Sequence, residues 1–372
     1  MATSIWKHFS IIPDPRVDRT KLHKLEDILT IALCAVISNA ETWNDIADYG
    51  NAKKPWLQGF LELPHGIPSH DTFGRVFAAL DPKAFEQSFQ AWIADLAGST
   101  EGKLIAIDGK TIRRSIDRAS GKAAIHLVSA WVHENHAVFG QIATADKSNE
   151  ITAIPKLLEM LQLKDATVTI DAMGCQKDIA QNLIDRNGQY ILAVKGNQGT
   201  LHEDLKLFLD DAIERDFAGI PHDKHEQTEK GHGRMETRTT WCTSQIQWLK
   251  DRHDWPGLQS VAVVDSYRKT GDETTSDRRY FISSHSGRSA QRIAVAVRNH
   301  WCVENELHWS LDVCFNEDQS RARIGNAAEN LSRLRRLALT LLKQDKTAKV
   351  GIKGKRLLAG WDEKYLLRIL RI

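Results

Sequence analysis

The chain has 372 residues, 42% hydrophobic and 26% charged, which is an ordinary globular composition with room for two or three folding units. Five scattered cysteines with no CxxC pair exclude a disulfide framework or zinc ribbon and fit a reducing cytosol, and no apolar run nears the roughly 20 residues that cross a bilayer. The net charge of +2 excludes a uniformly acidic or basic protein, but from Arg321 onward 14 Lys or Arg face 4 Asp or Glu, an excess of 14 − 4 = +10 that suggests a polyanion such as DNA or, equally, a solvated Arg-rich helix face.

In chain order, residues 1–97 read as helical. The segment "ILTIALCAVI" (Ile28 to Ile37) is a buried helix, and "PSHDTFGRVFAAL" opens on Ser69 as N-cap before periodic Phe73, Val76 and Phe77. Residues 1–100 carry 9 basic and 12 acidic side chains, which weakens a DNA-docking helix-turn-helix and leaves an accessory or dimerisation domain as an equal contender. The opening "MATSIWKHFSIIPDP" lacks the basic start and apolar core of a signal peptide, so the expected location is the cytoplasm, with no membrane partner.

From Lys103 the pattern becomes α/β. Strands are predicted at Lys103–Ile107, "AIHLVSAWV", "HAVFGQIAT", "ATVTI" and "QYILAVK", with helices at "EITAIPKLLEMLQL" and "CQKDIAQNLIDRN", which describes a mixed sheet with helices against it. Residues of about 200–288 are polar with strand-like pieces, a β-rich insertion returning to the main sheet. Long helices resume at "SAQRIAVAVRNHWCVENELHWSLDV" and "NAAENLSRLRRLALTLLK", and 346–372 reads as a basic tail.

Two predicted strands end alike. "KLIAIDGKTIRRS" runs into Asp108 and Gly109, and "ATVTIDAMGCQK" runs into Asp171 and a turn bearing Gly174. Each Asp could simply cap the turn after it. Two such carboxylates at the carboxyl ends of adjacent strands could instead share a cation, and Mg²⁺ needs only one or two carboxylates plus water and phosphate. On the helix "RNHWCVENELHW", His300, Glu304 and His308 lie four apart on one face, away from the apolar stripe Val303, Leu307 and Leu311, so Glu304 is a candidate third acid or a surface Glu in helical pairs.

A strand-end Asp, a second about 60 residues later and a helical Glu after a β-rich insertion resemble the ribonuclease-H-like core of DDE transposases. The blocks "IAIDGKTIRRS", "DAMGCQKDIA", "YILAVKGNQG", "HGRMETR" and "RNHWCVENELHWSLDVCFNED" are similar to insertion-sequence transposases of the H-repeat-associated group. The resemblance extends over nearly the whole chain. It implies a helical transposase-associated domain at 1–97, a catalytic domain at 98–345 with the insertion at about 200–288, and catalytic, metal-binding Asp108, Asp171 and Glu304. It also implies Mg²⁺, with Mn²⁺ as a substitute, cleavage at transposon ends and strand transfer into double-stranded target DNA, and a homo-oligomer during synapsis. Two divalent ions about 4 Å apart would activate water or a 3′-hydroxyl and stabilise the leaving oxygen.

Related transposases often carry Arg four residues before the Glu and Lys seven after it. Here those places hold His300 and Leu311, so Arg298, His300 and His308 are the substitutes for phosphate contact, and Glu306 and Glu317 the fallback acids. Lys110, Arg113 and Arg114 follow the first Asp and suit a DNA backbone. Lys195, with Gly196, Asn197 and Gln198, ends a strand where a cation and amides could meet a phosphate, or forms a plain turn. Arg234 and Arg238 are further phosphate contacts, and Gln176 and Lys177 weaker ones. Neither a nucleotide P-loop nor HExxH occurs. A nuclease of the same fold and a catalytically silent DNA-binding remnant of an insertion element are the competing functions.

Overall fold

A computed structural model describes residues 5–117, 121–144, 149–231 and 233–371. In chain order the elements are α1 (Ile5–Phe9), α2 (Leu25–Ile37), α3 (Trp43–Ala52), α4 (Lys54–Leu57), α5 (His70–Ala79), α6 (Pro82–Ala97), β1 (Leu104–Thr111), β2 (His126–Val132), β3 (Ala137–Thr144), α7 (Glu150–Glu159), β4 (Thr167–Ile170), α8 (Lys177–Asp185), β5 (Gln189–Val194), α9 (Gly199–Glu214), β6 (Asp223–Gly231), β7 (Arg234–Thr243), α10 (Gln247–His253), β8 (Ser260–Thr270) and β9 (Glu273–Ser283). They continue with α11 (Ala290–Cys302), a π-helical turn (Val303–His308), α12 (Trp309–Phe315), α13 (Ala327–Gln344), α14 (Ile352–Trp361) and α15 (Glu363–Leu370).

The strands form a nine-stranded mixed sheet in the order β3-β2-β1-β4-β5-β9-β8-β7-β6, flanked by helices. Strands β1, β4 and β5 are parallel, and β5-β9-β8-β7-β6 run antiparallel. The chain divides into two compact units. One comprises Met1–Ser99, Gly109–Asn149 and Glu304–Ile372, and the other Thr100–Asp108 and Glu150–Val303.

In the first unit α13 is the hub, packed on α2, α5, α6, α14, α15 and β3. Helix α2 is buried along nearly its whole length, as its apolar run predicts. Ser69 caps α5 by accepting from the Thr72 N–H (3.3 Å), and Thr42 and Asp45 form a capping box on α3. In the second unit β4 is an almost fully buried β-branched strand, and α11 lays Ala290, Ile293, Ala296 and Val297 on Ile191, Cys242, Ala262, Val264 and Phe281 of the sheet.

Three features depart from the sequence reading. The start of the polar stretch 200–288 is the helix α9, whose Leu201, Leu205 and Leu209 recur at helical spacing and are buried. The segment read as a basic tail folds into α14 and α15, the latter capped by Asp362. Of the basic residues from Arg321 onward, Arg333, Arg335, Arg336, Lys355 and Arg356 are buried, so much of that positive excess is internal.

Candidate active site

Parallel pairing sets Ile107 of β1 against Ile170 of β4, so the next residues, Asp108 and Asp171, fall at the same level; β4 ends at Ile170, whereas β1 runs on through Asp108 to Thr111, past the end at Ile107 that the sequence suggests. Both are half-buried. The β-branched run of β4 fills the core on both faces, which fixes the strand and hence the point at which Asp171 emerges. Asp171 caps a short 3₁₀ turn, Ala172–Gly174: its Oδ1 accepts from the Met173 N–H (3.0 Å) and the Gly174 N–H (3.4 Å). Both capping bonds fall on one oxygen. Gly174 is obligatory, because a Cβ there would sit 2.2 Å from Cγ2 of Ile170 and 2.9 Å from Cδ1 of Ile154.

The amides expected to meet a phosphate are engaged elsewhere. Asn197 Nδ2 donates to the Ala172 carbonyl (2.6 Å), and Gln198 Nε2 donates to the Cys175 carbonyl (2.6 Å). The loop after β5 therefore brackets the turn that carries Asp171. Lys195 is exposed at its start. Cys175 is buried, and burial first, then the nearby Asp171 charge, push its thiol up to about 12, so it stays protonated and inert. His300, on α11, shares a hydrogen bond between Nδ1 and the Thr169 hydroxyl (3.1 Å), two residues before Asp171.

The other candidate cations of this unit lie on β7 and α11. Arg238 pairs with Glu229 (3.2 Å) and Glu236 (2.8 Å), Arg298 pairs with Glu229 (3.4 Å), and Arg234 is exposed at the start of β7. Burial favours the neutral form of Glu236, yet Arg238, Arg268 and Arg298 hold its carboxyl below the usual range.

Glu304 is the second residue of the π-helical turn Val303–His308, which replaces the uninterrupted α-helix the sequence implies. Such insertions are frequent at functional positions. Val303, Leu307 and Leu311 are buried as expected, and buried His308 approaches the Glu304 carboxylate through Nδ1 (3.6 Å). The fallback acids have other partners. Glu306 meets His136 (3.2 Å), Lys343 (3.3 Å) and His133 (3.7 Å); burial alone would raise its pKa, but the His136 hydrogen bond first, then Lys343 and the two imidazoles, bring it to about 2. Glu317 is fully buried against Arg336 (2.9 Å). Lys110, expected as a DNA contact, is buried and paired with Asp312 (2.6 Å) and Asp318 (3.3 Å), whereas Arg113 and Arg114 are exposed.

Two carboxylates at one level of neighbouring parallel strands in a mixed sheet are what a DDE enzyme is expected to carry. Residues 99–341 match the family described as Transposase DDE domain, and residues 6–93 match that described as DDE_Tnp_1-associated. The chain is 42% identical over 371 residues to the H repeat-associated putative transposase YhhI of Escherichia coli K12, covering 98% of this chain and 97% of that protein. It is 43% identical to the putative transposase YncI of Escherichia coli O157:H7, covering 99% and 94%, and 46% identical over 281 residues to a protein in the dhlA 3′ region of Xanthobacter autotrophicus, covering 75% and 93%. The chain belongs to the DDE insertion-sequence transposases, with the H repeat-associated group among its relatives. A piggyBac transposase synaptic complex with hairpin DNA aligns at a TM-score of 0.44 and 11% identity, over 99% of this chain and 80% of that one, too distant to define the fold further.

Proposed function

We propose that this protein cleaves DNA at the ends of its element and joins the freed 3′ ends to target DNA, using Asp108, Asp171 and Glu304 as its three acids. The observation that carries the reading is the β1–β4 register, which sets Asp108, within β1, and Asp171, just after β4, side by side. On this reading the catalytic region is a ribonuclease-H-like core interrupted by a β-rich insertion.

The DDE family implies a divalent metal. The donor set fits one: hard carboxylate oxygens, one within β1, one in the turn after β4 and one on a helix, with the capping bonds of Asp171 confined to Oδ1 so that Oδ2 lies outside the cap. Asp108, Asp171 and Glu304 would hold Mg²⁺, or Mn²⁺ in its place, which when bound polarises the phosphodiester and activates the attacking oxygen. The chain's own contribution is to hold the carboxylates still. Buried β4 fixes one end of the Asp171 turn, Asn197 and Gln198 brace its carbonyls, and His300 ties α11 to β4 through Thr169. His308 stands beside Glu304 to orient it. The exposed cations Arg113, Arg114, Lys195 and Arg234 are the contacts proposed for DNA, with Arg238, Arg298 and His300 drawn in only by exchanging present partners. Two element ends are handled by a homo-oligomer in the cytoplasm.

Asp171→Asn, isosteric and able to accept the same capping bonds, is expected to abolish Mg²⁺-dependent cleavage of DNA carrying the element's ends while leaving DNA binding near wild type. Cleavage at the wild-type rate by this variant would remove Asp171 from the chemistry. Joined products on a target plasmid separate a transposase from a nuclease.

A further inference from the structure

Among the described residues four arginines of the first unit are almost completely buried, and three have evident compensation. Arg333 meets Glu86 and Glu329 (2.6 Å each), Arg336 meets Glu317 (2.9 Å), and Arg356 donates to the carbonyls of Val36 and Cys314 beneath the Phe315 ring (4.0 Å). Arg335 differs. It is 2% exposed, and among the described residues it makes one hydrogen bond, from Nη2 to the Glu41 carbonyl (3.2 Å), and no salt bridge. A guanidinium has five N–H donors, and although the charges of Glu317 and Glu41 act on Arg335, neither forms an ion pair with it among the described residues, so its fork keeps donor capacity for an anion.

Arg335 lines a cavity of about 390 Å³, within the range of small-ligand sites. Trp43, at the N-terminal end of α3, and Leu331, one turn before Arg335 on α13, form apolar wall, and exposed Arg321 and Gln319 stand at the rim. The opposing charge is Glu41, whose Oε2 accepts from Asn316 Nδ2 (2.9 Å). A buried planar fork, a second cation and an indole wall are the groups that bind a nucleic-acid backbone, the guanidinium matching phosphate oxygens in pairs.

We propose that this cavity is a phosphate-binding subsite for DNA, in which Arg335 and Arg321 take one backbone phosphodiester and Trp43 borders the adjoining nucleotide. The inference rests on DNA being the substrate and assigns to it a contact apart from the three acids. Arg335 forms no direct ion pair, although its charge favours that of buried Glu317, so the melting temperature of Arg335→Met is measured beside its affinity to separate lost binding from lost folding.

The test is fluorescence anisotropy of full-length protein on a labelled random-sequence duplex, titrated with salt. Arg335→Met and Arg321→Ala are each expected to bind about 10-fold more weakly, with the slope of log affinity against log salt shallower by about 0.9, the value for one phosphate. Should Arg335→Met fail to fold, exposed Arg321→Ala still gives the readout. Wild-type affinity and slope in the folded variants would overturn the subsite while leaving the DNA reading intact. Wild-type protein that binds no duplex would overturn both. If inorganic phosphate raises the melting temperature of wild type but not of Arg335→Met, with DNA affinity equal in the two, the cavity holds free phosphate and the DNA assignment falls.

Discussion

The turn after β4 and the helix α13 treat charge in opposite ways. In the turn, one half-buried carboxylate is held by backbone amides and the turn's carbonyls by the neutral side chains of Asn197 and Gln198, and among the described residues no ion pair to Asp171 is seen. In α13, three arginines enter the core and two are neutralised on the spot by Glu86, Glu329 and Glu317. Neutral bracing preserves a charge for later use, whereas ionic bracing consumes it in holding the fold.

The strongest way to sharpen that contrast is to break one of the buried pairs. Glu317→Ala leaves Arg336 charged in a site with no exposure on either partner, and is expected to cost about 3 to 5 kcal/mol in urea unfolding. The double change Glu317→Leu with Arg336→Met should recover most of that loss, since well-packed apolar pairs replace buried ion pairs at little cost. A double variant as unstable as the single one would mean that the pair acts through more than charge compensation.

Removing a neutral brace should matter less to stability and more to the site. Asn197→Ala is expected to cost about 1 kcal/mol globally, the worth of one hydrogen bond, while hydrogen exchange of the amides in 172–175 and DNA cleavage change more than that figure implies. If exchange in the turn is unaltered, the loop after β5 is not what fixes it.

A pH-gated effect follows from His285, which is buried beside Thr167 (3.0 Å) at the base of β4. Burial first, and then Arg292, bring its pKa from 6.5 down to about 4. The unfolded chain takes up this proton before the folded one does, so stability falls as pH drops from about 6.5 to about 4 and levels off below. His285→Gln should flatten that portion of the melting-temperature profile, and an unchanged slope would show that other groups dominate it. The smallest effect is expected from Arg113→Ala: its pair with Asp318 is solvent-exposed on the Arg side, and surface pairs contribute below about 1 kcal/mol.

What could be read in the sequence tracks how local its physics is. The strands that deliver Asp108 and Asp171 were legible because a β-branched run, an Asp and a Gly are contiguous, and Ser69 announced its helix three residues away. The fate of the basic C-terminal segment was not legible, because a charge count ignores partners remote in sequence; Glu86 lies 247 positions from the Arg333 it neutralises. The same blindness hid the placement of Lys110, whose carboxylates are 202 and 208 positions away. Helix α9 was missed for a different reason, since polar composition over 200–288 masked a three-leucine stripe that periodicity does contain. The π-helical turn at Glu304 has no signature in residue spacing alone.

Gly174 has a consequence for how this site can vary. With no room for even one methyl group between Ile170 and Ile154, every substitution there disturbs the β4 turn itself. In a saturation library selected first for soluble expression and then for transposition, position 174 should be emptied at the first step and position 171 only at the second. Two neighbours three residues apart would thus be constrained by different selections, one by the folding of the turn and the other by the reaction performed above it.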